Sequence, residues 1–252
     1  MTIQDNDAAS SNANPIDTLS FFVRQQYLDF LSREPEQAGF DAWMAKLNQC
    51  PASAHGDRFY PQDCTRIDVS AAFFRSREFG LKGYYVYRFY VVSFGRRPLY
   101  SEFIPDMSRV TGATEEEFEA NRAAFPTEWV ARQAFKDKYD SVSNSAYVNT
   151  LLQTAEVTLS NSGSLIDDLD GGRKTRAQVL KEMIESPPVE QKFYNEAFVA
   201  MQYFGYLRRD PEAAGFDGWL AHLNRAGNYR EMVWGFLYSP EHMLRFGPVP
   251  GF

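Results

Sequence analysis

The sequence is short of nearly everything that usually announces chemistry. It holds three histidines, His55, His222 and His242, and two cysteines in 252 residues. No Gly-x-Ser-x-Gly elbow, His-Glu-x-x-His pair, phosphate-binding loop or dinucleotide fingerprint occurs, which removes the common signatures of hydrolases and cofactor enzymes. No stretch approaches the roughly twenty apolar residues that a membrane span requires. The opening "MTIQDNDAASSNANPIDT" lacks the apolar run of a signal peptide. It reads as a flexible polar lead over 1–18, closer to an inter-domain linker than to a natural beginning. Positive charge is outweighed as well: the formal net charge is -7 and Lys and Arg form no run, so neither nucleic acid nor an anionic membrane is expected as a partner. Alternating apolar patterns and short turns between β-branched runs are missing, which argues against sheet.

What is present is apolar mass and a repeat. With 44% hydrophobic and 15% aromatic residues the chain has ample material for a packed core. "FVRQQYLDFLSREPEQAGFDAWMAKLN" (22–48) aligns without a gap on "FVAMQYFGYLRRDPEAAGFDGWLAHLN" (198–224), identical at about sixteen of twenty-seven positions. The likeness continues from "VSAAFFRSREF" (69–79) to "MVWGFLYSPEH" (232–242), through Phe73 and Phe236, Ser76 and Ser239, Glu78 and Glu241. Fainter echoes lie between. "YVYRFYVVSFGRRP" sets Tyr90, Arg96 and Pro98 where the first copy has Tyr27, Arg33 and Pro35, and "WVARQAFKDKY" closes that unit. "AYVNTLLQTAEV" and "RAQVLKEMIESPPVEQKF" begin and end another. Four units are therefore expected, near 20–80, 84–140, 145–194 and 197–246, in a single domain over 19–246 with a tail at 247–252.

Each unit reads as helical. Val23, Tyr27, Phe30 and Leu31 fall at helix spacing, as do Val199, Tyr203, Tyr206 and Leu207. Glu34 and Asp210 precede Pro35 and Pro211, which suggests an acidic N-cap with proline at the first helical position. The next helix carries Gly39 and Trp43, or Gly215 and Trp219, and a third ends in the Ser-x-Glu element. The fold class expected is all-α, a helical repeat or bundle of about four related three-helix units, because fifty residues bury their faces poorly alone.

Cys50 and Cys64 enclose "PASAHGDRFYPQD", a turn-rich loop. A disulfide is the natural reading, and it implies an oxidising compartment. Two unpaired buried thiols, or a metal site helped by His55, are the competing readings, the last without a fourth ligand.

The repeated residues resemble the bacterial domain of unknown function 4214 family, carried by "FFVRQQYLDFLSREPEQAGFDAW" and "AFVAMQYFGYLRRDPEAAGFDGW". The resemblance is specific at the corner and diffuse elsewhere. It implies a secreted, surface-layer or multidomain extracellular setting, and the whole arrangement is similar to C-terminal regions of long secreted proteins. A fainter similarity is to phycobilisome linker domains, which share the Arg-x-Pro corner and a Ser-x-Glu-aromatic helix. Those are helical assembly modules. The family has no established catalytic residues to carry over.

Each chemical candidate has a plainer reading beside it. Asp41 with Asp217, and Glu78 with Glu241, offer paired carboxylates for a glycoside hydrolase. Residues that recur in each copy fit better as partners within each unit, with Arg33 and Arg209 forking onto a carboxylate or onto helix-end carbonyls. "DDLDGG" puts Asp167, Asp168 and Asp170 before two glycines; a flexible acidic loop is the preferred reading, with weak calcium binding as the alternative. Tyr84, Tyr85, Tyr87 and Tyr90, with Trp43, Trp129, Trp219 and Trp234, form either core or a sugar- or protein-binding surface. The expectation is thus a non-enzymatic extracellular interaction or assembly module without catalytic, cofactor or metal residues. A carbohydrate-binding module is the alternative and a carboxylate-based hydrolase the third reading. The partner is a protein or envelope component, and function is expected where the copies disagree, as in Met44 against Leu220 and Lys46 against His222.

Overall fold

The computed structural model describes residues 14–249, and every regular element among them is a helix, as the apolar spacing requires. In chain order they begin with α1 (Leu19–Gln26), α2 (Gln37–Leu47), α3 (Arg66–Arg75) and α4 (Arg77–Phe79). Next come α5 (Tyr85–Phe94), α6 (Tyr100–Arg109), α7 (Glu115–Val130), α8 (Gln133–Tyr139) and α9 (Asn144–Ala155). The series ends with α10 (Ser162–Asp170), α11 (Arg176–Ile184), α12 (Pro187–Gln202), α13 (Ala213–Ala226), α14 (Tyr229–Leu237) and α15 (Pro240–Met243). Wider π turns extend α1 over Tyr27–Leu31 and α12 over Tyr203–Leu207. No helix among the described residues is long and apolar enough to cross a membrane.

By its internal packing the chain divides into two compact units. One gathers both ends of the chain, up to Phe79 and from Phe198 onward; the other is Gly80–Ala197. The end-joining unit contains both copies of the strong repeat. Its α3 packs on α14, and its two π turns meet. Phe30 lies 4.2 Å from Phe74 and 5.1 Å from Tyr206, ring centre to ring centre, and Phe198 reaches Phe74 at 5.6 Å. A Cβ at Gly205 would collide with the Phe30 ring, so glycine stands there although the corresponding residue of the first copy is Asp29. The Asp29 side chain is almost wholly buried and accepts from Arg208 at 2.9 Å and Arg245 at 2.8 Å, which compensates its charge.

The other unit is built around α5, whose residues Tyr85 to Ser93 are all buried. A helix apolar on every face belongs in a core, and α5 packs against both α9 and α11. Trp129 is fully buried there, donating its Nε1–H to Ser93 Oγ at 3.0 Å.

Three local expectations are corrected. Asp167, Asp168 and Asp170 are not in a loop: they occupy the last turn of α10, and the two glycines end it, Gly172 at φ +66°. Glu34 and Asp210 do not cap, because α2 and α13 begin later; their N-cap positions are Glu36 and Glu212, and Pro35 and Pro211 lie outside regular structure before them. Glu34 instead accepts from Arg24 Nε at 2.8 Å. Of the polar lead, residues 1–13 lie outside the described residues, but Pro15–Asp17 form a 3-10 turn. Asn14 is buried and donates to Met243 O at 2.9 Å. Of the expected tail, 250–252 also lie outside.

Candidate functional site

The duplicated corner is a densely bonded polar feature, and its construction starts from the backbone. After each π turn one residue enters the left-handed region, Ser32 at φ 54° and Arg208 at φ 53°, which turns the chain sharply toward the next helix. The following residue is the repeated arginine. Arg33 lies 5.0 Å from the centre of the Tyr27 ring, and donates from Nε and Nη2 to the two carboxylate oxygens of Glu78, both at 2.9 Å. Its Nη1 donates to Glu34 O at 3.2 Å and reaches the Glu36 carboxylate. The second copy matches atom for atom: Arg209 lies over Tyr203 at 5.3 Å, forks onto Glu241 at 2.6 and 3.0 Å, and donates to Asp210 O at 3.0 Å and Glu212 at 2.6 Å. These charge-assisted bonds raise the affinity of both guanidinium groups for their protons, the side-chain bonds to Glu78 and Glu241 being the largest cause. The bond from Arg209 holds the Glu212 carboxyl below the usual range.

The glycine has an equally local duty. A Cβ at Gly39 would collide with the Glu36 carboxylate and the Tyr27 hydroxyl; at Gly215 it would meet Glu212 and Tyr203 in the same way. Trp43 and Trp219 are half-buried and cover Phe73 and Phe236, at 5.3 and 5.8 Å. The arginines thus find a carboxylate of their own segment, and Glu78 and Glu241 are committed to them. Asp41 is exposed and accepts from Gln37 at 2.9 Å; nothing ties it or the exposed Asp217 to the glutamates. The part played by Glu36 and Glu212 was missed from sequence, although an identical glutamate three residues after each arginine was there to find.

Residues 188–246 match the family "Domain of unknown function (DUF4214)". No curated protein and no solved structure matches the chain. The DUF4214 segment takes in the second corner whole, from Tyr203 to Glu241.

Around the DUF4214 segment the remaining candidates fall into place. Cys50 and Cys64 form a disulfide with Cα atoms 5.6 Å apart. The loop it closes is docked on α14: Trp234 Nε1 donates to Gly56 O at 3.0 Å, and the Tyr238 hydroxyl donates to His55 O at 2.6 Å. Arg58 stacks 4.8 Å from the Trp234 ring. The three histidines are scattered. Burial lowers the His55 pKa, and His222 Nε2 lies 3.3 Å from Glu231. His242, wholly buried in the DUF4214 segment, donates Nδ1–H to Leu237 O at 2.8 Å, and burial pulls its pKa down to about 4.

Asp168 is bound by Arg173 at 2.7 Å and Lys174 at 3.0 Å, and Asp170 accepts from Asn144 at 2.9 Å. Among the described residues no three His, Cys, Asp or Glu side chains are grouped to hold a metal ion. Tyr84, Tyr85, Tyr87 and Tyr90 are buried, so that cluster is core, not an exposed sugar-binding face.

Proposed function

We propose that this protein is a non-enzymatic interaction or assembly module of an extracellular or cell-surface setting, built from four related three-helix units near 20–80, 84–140, 145–194 and 197–246. The observation that carries the reading is the use made of the repeated polar residues. Each fork of Arg33 and Arg209 is spent on a carboxylate of its own segment, so the repeat maintains a shape and leaves no paired acid and base facing a substrate. The second unit is supported by its own version of the corner. Arg96 lies 5.5 Å from the Tyr90 ring, donates to Arg97 O at 3.1 Å, and forks onto Glu102 at 2.7 Å twice. Gly95 before it is left-handed at φ 67°, and Glu156, after α9, stands at φ 50°. A left-handed residue therefore follows the first long helix of each unit, and Gly172 and Gly227 add a second in the last two.

The extracellular setting is supported by the disulfide, which persists only where the medium is oxidising. The test is capture from secreted and envelope fractions with the whole chain immobilised. Retention of a specific envelope component is the expected result, and failure to retain any would overturn the reading. Free thiols at Cys50 and Cys64 in natively produced material would overturn the compartment.

A further inference from the structure

The two corners carry the same tryptophan in different surroundings. Aligning "VSAAFFRSREF" with "MVWGFLYSPEH" sets Ala71 opposite Trp234, Ala72 opposite Gly235 and Arg75 opposite Tyr238. In the second copy Trp219 closes over Gly235, where a Cβ would already sit 3.3 Å from its ring. Trp234 beside it is occupied by the disulfide-closed loop, through Gly56 and Arg58. In the first copy two alanines replace those residues, and a cleft of about 540 Å³ opens beside Trp43. That volume lies inside the roughly 300–1,000 Å³ of small-ligand sites.

The chemistry of the lining selects among ligands. Its polar and aromatic walls are Trp43, Lys46, Asp63, Asp68, Arg75 and Tyr229. Lys46 donates to Asp63 at 2.7 Å, Asp68 pairs with Arg230, and Arg75 donates to the Tyr229 hydroxyl at 3.0 Å while covering its ring at 4.8 Å. Two cations face two carboxylates, so the lining holds no net charge with which to attract an ion. A quaternary ammonium is further disfavoured because Arg75 already covers Tyr229. What remains is a half-buried indole flanked by an ammonium, a guanidinium and two carboxylates. That combination suits a ligand with one C–H face and a girdle of hydroxyl groups.

We propose that this cleft binds a neutral saccharide, with Trp43 as the apolar platform and Lys46, Asp63 and Arg75 bonding its hydroxyl groups. Lys46, which has His222 as its counterpart, and Arg75 are positions where the copies differ, so the site belongs to the first copy alone. The proposal does not depend on the assembly role.

Calorimetric titration of the whole chain with cellobiose, maltose and N,N′-diacetylchitobiose tests it, with glucuronic acid as the charged counterpart. The expected result is saturable binding of at least one neutral disaccharide, weakened tenfold or more by Trp43→Phe and by Asp63→Asn. The Asp63 side chain is 85% exposed, so its replacement leaves the fold intact. Absence of binding to all three neutral sugars, binding confined to glucuronic acid, or equal affinity in the Asp63→Asn chain would overturn the proposal.

Discussion

Single residues show how unequal two copies of one motif are. Arg33 and Glu78 are 27% and 31% exposed, whereas Arg209 and Glu241 are 38% and 48% exposed. Solvent screens the second pair more, so Arg33→Ala is expected to cost about 1–2 kcal/mol and Arg209→Ala under about 1 kcal/mol, read as the difference in urea unfolding midpoints. His242 gives the molecule a pH limit. Its folded-state pKa, pulled down to about 4, lies below the ordinary value of 6.5, so the unfolded chain takes up the proton first as the medium acidifies. Stability from this residue is complete above about pH 6.5 and is lost as pH falls toward 4, up to about 3 kcal/mol. The expected outcome is a pH–stability slope over that window that becomes shallower in His242→Gln. Legibility at this scale followed the duplication. Arg33, Gly39 and Trp43 stood out because each has a twin, and Glu78 because it recurs at the other end of the unit. Asp29 and Gly205 did not, since they occupy equivalent positions with unrelated residues, and their meaning depends on contact between the copies.

Among the elements, the loop closed by Cys50 and Cys64 carries the clearest expectation. Cross-linking about fifteen residues stabilises by roughly 3 kcal/mol in the chain-entropy model. Reduction should therefore lower the unfolding midpoint and change the emission of Trp234, whose N–H is bound by that loop. An unfolding curve indifferent to reductant would contradict this. The helices themselves were readable because their apolar spacing follows the 3.6-residue turn. Helix ends were less so: the sequence offers an acidic residue before proline as a cap, but left-handed Ser32 and Arg208 delay the next helix beyond that proline. The acidic DDLDGG segment was misread for a related reason. Leu165 and Leu169, four residues apart, bury one face of α10 and draw the aspartates into its last turn.

At the scale of the whole molecule, a repeat tells which segments are alike and not which of them pack together, so the division into two units was not legible. The first copy finds its partner across about 120 intervening residues. Removing residues 198–252 strips Tyr206 from Phe30, Phe74 and Ser70 and Phe198 from Phe74, so the first copy should lose its fold while 80–197 keeps its helical circular dichroism. Loss of all helical signal would argue against two units. The same arrangement sets an order of events during synthesis. The middle of the chain can fold as soon as it is synthesised, but the first eighty residues must wait, with Phe30 and Phe74 uncovered, until the last helices arrive. For that interval the nascent amino-terminal segment exposes aromatic core surface, and the carboxy-terminal helices close over it.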